Sequence, residues 1–157
     1  MSPEDVKLLI LDVDGVLTDG RLYLSEDGAE TKCFHVHDGQ GLVLLHDVGV
    51  RIAVISARES EATRQRLQEL GIEEAILGCT DKYAEACTLV ERLGYRWEEV
   101  ICVGDDVTDV PLLEAAGMGV AVADARRQAR EAADWVTPNP GGRGAVRDVC
   151  DWILQRC

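Results

Sequence analysis

The sequence predicts an α/β fold, a doubly wound parallel sheet, and three observations carry that prediction. Short apolar runs of β-capable residues recur, the clearest being Leu8-Leu9-Ile10-Leu11, Ile52-Ala53-Val54-Ile55 and Val100-Ile101-Cys102-Val103. Each run is continuous rather than alternating, the pattern of a strand covered on both faces. Stretches of helical length lie between them and stop at glycine, at Gly49, Gly71 and Gly94. Strands alternating with helices close into a parallel sheet with right-handed crossovers.

In order, the first strand runs from Lys7 to Leu11 and ends in Asp12-Val13-Asp14-Gly15. Arg21 to Leu24 and Ala29 to Val36 flank Ser25-Glu26-Asp27-Gly28, a turn sequence, so residues 21–37 read as a protruding β-hairpin. A helix follows to Gly49, with Asp38 as its N-cap. Arg51 to Ser56 is a strand, Glu59 to Leu70 a helix, Ala75 to Gly78 a short strand, and Lys82 to Leu93 a helix. Val100 to Gly104 is a strand, Thr108 to Ala116 a helix, and Gly119 to Val122 and Trp135 to Thr137 are the last strands, with a short helix between them. After the loop Pro138 to Gly142 a helix starts near Ala145. No linker or repeat interrupts residues 1–157, which read as one domain.

Composition narrows the function. With 46% hydrophobic and 29% charged residues in 157, the chain is globular rather than disordered. A net charge of −13 argues against nucleic acid or an anionic membrane as partner, and means that a phosphate site needs local cations. No apolar run approaches a membrane span, and Met1-Ser2-Pro3-Glu4-Asp5 lacks a basic, apolar leader. The six cysteines lack paired metal spacing. Reduced thiols in a cytoplasmic protein are therefore the expectation, with Cys79 a packing residue.

In a doubly wound sheet the carboxyl ends of the strands share one edge, where ligands bind. Asp12 and Asp14 follow the first strand, Ser56 and Arg58 the second long one, Lys82 opens a helix, and Asp105, Asp106 and Asp109 follow Gly104. Singly, each has an ordinary explanation as a turn residue, cap or solvated charge. Together they bring carboxylates, a hydroxyl and a cation to one edge. His35 and His37 are spaced to share a strand face, yet no third ligand accompanies them, so a metal clip is the weaker reading beside polar decoration or a subunit contact.

The set Asp12-Val13-Asp14-Gly15-Val16-Leu17-Thr18, Ile55-Ser56, Asp81-Lys82 and Gly104-Asp105-Asp106-Val107-Thr108-Asp109 resembles the four signatures of the haloacid-dehalogenase-like phosphohydrolases, over nearly the whole chain. The resemblance implies Asp12 as nucleophile, forming an aspartyl-phosphate, and Asp14 as general acid and then base. It implies that Ser56 and Lys82 hold the phosphoryl oxygens. Asp12, the Asp14 carbonyl and Asp105 would hold Mg²⁺, with Asp106 and Asp109 anchoring its waters or Lys82. Asp at position 14 favours phosphatase or mutase chemistry within that family.

Phe34-His35-Val36-His37-Asp38-Gly39, Ile55-Ser56-Ala57-Arg58 and Gly141-Gly142-Arg143-Gly144-Ala145-Val146 look like the family of 3-deoxy-D-manno-octulosonate 8-phosphate phosphatases. That family implies a capless cytoplasmic homotetramer joined by its hairpins, with an acidic sugar phosphate from lipopolysaccharide precursor synthesis as substrate. Arg58, Arg66 and Arg143 become candidate substrate contacts, although Arg66 and Arg143 also read as solvated arginines. Leu22, Leu24, Phe34 and Val36 are the candidate apolar face of the hairpin. Two departures stand out: Ala57 stands where that family usually has glycine, and with the sequence reaching Cys157 the expectation is that the longer tail that often helps close the site in relatives is absent. The alternatives are the related 2-keto-3-deoxynononate 9-phosphate phosphatases and a non-catalytic oligomerisation domain. The latter predicts losses among Asp12, Asp14, Lys82 and Asp105, and all four are present. A phosphorylated receiver domain would carry its acidic cluster after the first strand, not late in the chain.

Overall fold

The computed structural model describes residues 1–155, so the thiol of Cys157 lies outside the described residues. In chain order the elements are β1 (Leu8–Leu11), β2 (Tyr23–Leu24), β3 (Glu30–Thr31), α1 (Val36–Asp47), β4 (Arg51–Ser56), α2 (Glu61–Glu69), β5 (Glu74–Leu77), α3 (Lys82–Leu93), β6 (Val100–Gly104), α4 (Val110–Ala115), β7 (Met118–Ala121), α5 (Arg127–Ala132), β8 (Trp135–Val136) and α6 (Ala145–Leu154). Six of the strands form one parallel sheet in the order β5-β4-β1-β6-β7-β8, and β2 and β3 pair apart from it.

Hydrophobic patterning accounts for this order. All four residues of β1 are buried, as the central strand of a sheet covered on both faces must be. The chain steps outward from β1 through β4 to β5, then crosses back to β6 and outward to β8. With right-handed crossovers, α1 and α2 fall on one face and α3, α4 and α5 on the other. Leu42, Leu45, Val149 and Ile153 fill the core where α1 packs on α6, and Ala86, Leu89, Val90, Leu112 and Leu113 fill the opposite layer. The reversal of direction sits at β1, between β4 and β6. In open α/β sheets that is where a crevice forms at the carboxyl ends of the strands.

Several local expectations need correction. The hairpin strands are only two residues long, and residues 32–37 turn away from them. Phe34 leaves the expected apolar face of the hairpin and packs against the core, while Leu22, Leu24 and Val36 stay exposed. The helix begins at Val36 with His35 as its N-cap, the imidazole Nδ1 accepting from the His37 amide at 3.3 Å. The two histidines therefore form a cap rather than a clip.

Asp38, expected as that cap, is buried within the first turn of α1, where its Oδ1 accepts from the Arg147 amide of α6 at 2.9 Å. It caps another helix across the fold. The expected helix at Thr108 is split into a 3₁₀ turn, Val107–Asp109, and α4, which has Pro111 in its first turn. Proline is tolerated there because the first amides of a helix have no partner within it. Among the described residues no helix is long and apolar enough to cross a membrane.

Candidate active site

The carboxyl edge at the β1 switch holds a cavity of about 300 Å³ lined by Asp12, Asp14, Ser56, Arg58, Lys82, Asp105 and Asp106, together with Gly20, Ala57 and Thr108. Asp12 is the first residue past β1. Its Oδ1 accepts from the Val13 amide at 2.7 Å and faces Lys82 Nζ at 3.0 Å. Among the described residues no protein donor reaches Oδ2, which leaves that oxygen free for chemistry.

Lys82 opens α3, whose N-cap Asp81 accepts from the Ala84 amide at 3.0 Å. Its buried ammonium also donates to Asp109 Oδ1 at 2.7 Å. Burial opposes that charge, but Asp12 and Asp109 outweigh it and hold Lys82 above the usual lysine range. Asp109 Oδ2 meanwhile accepts from the Asp105 and Asp106 amides at 2.9 and 3.2 Å. Asp109 thus fixes both the lysine and the acidic loop after β6.

Carboxylate oxygens of Asp12, Asp105 and Asp109 all lie within 4.8 Å of one another. Among the described residues Lys82 is the one cation paired with this trio, so the group carries an excess of negative charge. Burial, then the Asp109 charge, pushes Asp12 up to about 6 against the pull of Lys82. Burial, then the charges of Asp12, Asp109 and Asp106, pushes Asp105 up to about 8. Hard oxygen donors, close together and short of positive charge, fit a divalent cation.

Gly15 follows Asp14 with φ of +91°, and a Cβ there would come within 2.0 Å of Asp105 Oδ2. Only glycine lets the β1 loop approach the acidic loop this closely. The glycine-rich segment before α6 uses the same freedom: a Cβ on Gly141 would come within 1.7 Å of the Gly15 carbonyl oxygen. These glycines clamp one loop over the other.

Ser56 ends β4, buried, with its Oγ accepting from the Arg58 amide at 3.3 Å. Ala57 brings no strain, because among the described residues only glycines have positive φ. Burial raises the Cys79 thiol, in keeping with a packing role. Arg58 Nε lies 3.7 Å from Asp14 Oδ2, and its Nη2 donates to Glu30 Oε1 at 3.1 Å.

Arg66 and Arg143 are placed elsewhere. Arg66 pairs with Glu69 at 2.8 Å and its guanidinium lies 6.0 Å from the Phe34 ring centroid, a cation–π contact, so it is committed to its own helix face. Arg143 is exposed in the clamp loop. Neither lines the cavity. Sequence reasoning missed Lys32, whose ammonium pairs with Asp14 Oδ1 and lies 3.2 Å from Glu30 Oε1. The i, i+2 spacing of Glu30, Lys32 and Phe34 was the available signal, since it puts all three on one face of an extended segment.

Comparisons with known proteins agree with this arrangement. A sequence model of haloacid dehalogenase-like hydrolases matches residues 79–147. The chain is 41% identical to 3-deoxy-D-manno-octulosonate 8-phosphate phosphatase of Haemophilus influenzae, over 97% of this chain and 84% of that protein. Identity to the phosphatase of the same name from Escherichia coli K12 is 43%, over 96% of this chain and 80% of the relative. Among solved structures, the Moraxella catarrhalis phosphatase of that name, in complex with magnesium ion, phosphate ion and a KDO molecule, superposes with a TM-score of 0.95 at 38% identity, covering 98% of this chain and 88% of that one. With the fold, the four motifs and full-length likeness in agreement, the chain belongs to the 3-deoxy-D-manno-octulosonate 8-phosphate phosphatase family of haloacid dehalogenase-like hydrolases.

Proposed function

We propose that this protein hydrolyses 3-deoxy-D-manno-octulosonate 8-phosphate to the free sugar acid and phosphate through an aspartyl-phosphate on Asp12, with Mg²⁺ as cofactor. The observation that carries the proposal is the free Asp12 oxygen beside buried Lys82, in a cavity that Ser56 also lines. Asp12, Asp105 and the Asp14 carbonyl would hold Mg²⁺, which when bound supplies charge neutralisation on the phosphoryl oxygens.

The steps belong to the side chains. Asp12 Oδ2 attacks phosphorus in line, and the P–O bond to the sugar breaks as that oxygen takes a proton from Asp14. Lys82 and Ser56 hold phosphoryl oxygens as charge shifts onto them. Asp14, now ionised, takes a proton from water, whose oxygen attacks phosphorus, releases phosphate and restores Asp12. Asp109 orients Lys82 throughout, and Asp106 anchors water at the rim. The cavity is small and among the described residues no cap covers it, so we place the enzyme in a homotetramer whose hairpins cover neighbouring sites, and, from its family, in the cytoplasm. The exposed Leu22, Tyr23 and Leu24 support that assembly.

A phosphate-release screen across sugar phosphates, with Asp12→Asn alongside, tests the reading. Mg²⁺-dependent turnover of the eight-carbon acid, abolished in Asp12→Asn, is expected. Preferential turnover of the nine-carbon 9-phosphate would select the related phosphatase instead, and no release from any substrate would select a non-catalytic domain.

A further inference from the structure

The hairpin is exposed from residue 21 to residue 29, yet the Lys32 side chain just beyond it is only 2% exposed. A lysine is buried to that extent only when its ammonium is paired, because the unpaired charge is too costly to desolvate. Here the partners are Asp14 Oδ1 and, at 3.2 Å, Glu30 Oε1. Arg58 closes the circuit, reaching Glu30 Oε1 at 3.1 Å and Asp14 Oδ2 at 3.7 Å. Two carboxylates and two cations therefore alternate around a ring, and each Asp14 oxygen faces a different cation. Arg58 is half-exposed and lies at the longer distance, so it is free to turn toward an incoming anion. Lys32 is the anchored member.

We propose that Lys32 is the positioning residue for Asp14, and that the hairpin segment is thereby a working part of the site as well as a surface for assembly. The inference rests on the reading of Asp14 as the group that protonates the leaving oxygen. A proton donor must stand within hydrogen-bond reach of the oxygen it serves, and a displacement of about 1 Å can cost about a hundredfold. Asp14 sits on a turn past the end of β1, where the strand no longer fixes its side chain. With Arg58 turned to the incoming anion, Asp14 carries its proton on Oδ2 while Oδ1 stays on Lys32. Lys32 thereby supplies that constraint from another element, and Glu30 keeps the ammonium from swinging outward.

Leaving-group dependence distinguishes positioning from mere support. A sugar alkoxide needs the proton; p-nitrophenolate leaves without it. The ratio kcat/KM reports only steps through the first product release, so it isolates the protonation from the later attack of water. In Lys32→Met, kcat/KM for the eight-carbon sugar phosphate is expected to fall about ten- to a hundredfold, while that for p-nitrophenyl phosphate stays within about threefold. Lys32→Arg should recover most of the loss. In an Asp14→Asn background, Lys32→Met should bring no further fall.

Equal losses on both substrates, additive loss in the Asp14→Asn background, or no loss at all would overturn the proposal. Should Lys32→Met misfold by circular dichroism, Lys32→Gln takes its place under the same criteria. A wild-type protein that releases phosphate from neither substrate would instead overturn the functional reading beneath it.

Discussion

The Lys82 ammonium stands 3.0 Å from the Asp12 carboxylate in a site where both side chains are less than one-tenth exposed. Two partners so deeply desolvated depend on each other. Removing the cation leaves Asp12 and Asp109 buried with charge uncompensated, and broken buried pairs typically cost about 3–5 kcal/mol. Lys82→Met is therefore expected to lower both thermal stability and activity, with kcat/KM reduced at least a hundredfold. Calorimetry and steady-state kinetics measure the two effects, and an unchanged melting temperature would show that the carboxylates simply take up protons in the lysine's place.

Metal and pH are coupled at the acidic cluster. The folded-state values of Asp12 and Asp105, about 6 and about 8, lie above the ordinary carboxylate value of 3.8. The metal-free folded protein therefore holds more protons than the unfolded chain between about pH 4 and pH 8. That contribution to stability is complete below about pH 4 and is lost as pH rises through the two values. With chelator present, Tm should fall from pH 5 to pH 9, by about 2–4 °C for each kcal/mol in a domain of this size. Mg²⁺ should flatten the slope and stabilise more at high pH, because it takes the place of the protons. A Tm that rises with pH in chelator would contradict this account of the cluster.

Arg58 is the substrate candidate that does line the cavity, and its guanidinium is half-exposed and able to turn. In Arg58→Glu, the ratio of kcat/KM for the eight-carbon over the nine-carbon substrate should fall by about one to two decades, the value of one charge-assisted contact of about 1.5–3 kcal/mol. Arg58→Gln controls for the extra carboxylate placed beside Glu30 and Asp14. An unchanged ratio in both variants would mean that Arg58 does not read the sugar.

The hairpin exposes Leu22, Tyr23 and Leu24, of which Leu24 is 66% exposed. Adjacent apolar side chains on so short a ribbon gain from cover by other copies of the chain. Light scattering of the wild type at micromolar concentration should give a tetramer, and Leu24→Lys should shift it toward smaller species. A fully active wild-type monomer would refute the assembly.

Much of the site was legible before the fold was known. Asp12, Ser56, Lys82 and Asp105 follow recognisable strands or open a helix, and parallel topology puts those positions on one edge whatever the details of packing. Arg66 lies off the cavity, and the sequence could not show it, because helical spacing says which face a residue occupies, not what meets that face. Here Phe34 and Glu69 take it. Lys32 was missed because a hairpin read as protruding leaves no reason for a charged residue to turn inward.

What the sequence determined by itself was the set of strands, their parallel direction and the chemistry gathered at their carboxyl ends. Apolar runs and glycine stops are local signals, and right-handed crossovers leave few alternatives. Only the tertiary structure decided which charges meet: Lys82 with an aspartate 27 residues away, Lys32 with one 18 away, and the α6 amide of Arg147 with Asp38 across 109 residues. Pairings of that kind follow from desolvation. Once the sheet buries a charge, the nearest opposite group must satisfy it, and nearness in space is set by loop paths that no short stretch of sequence encodes.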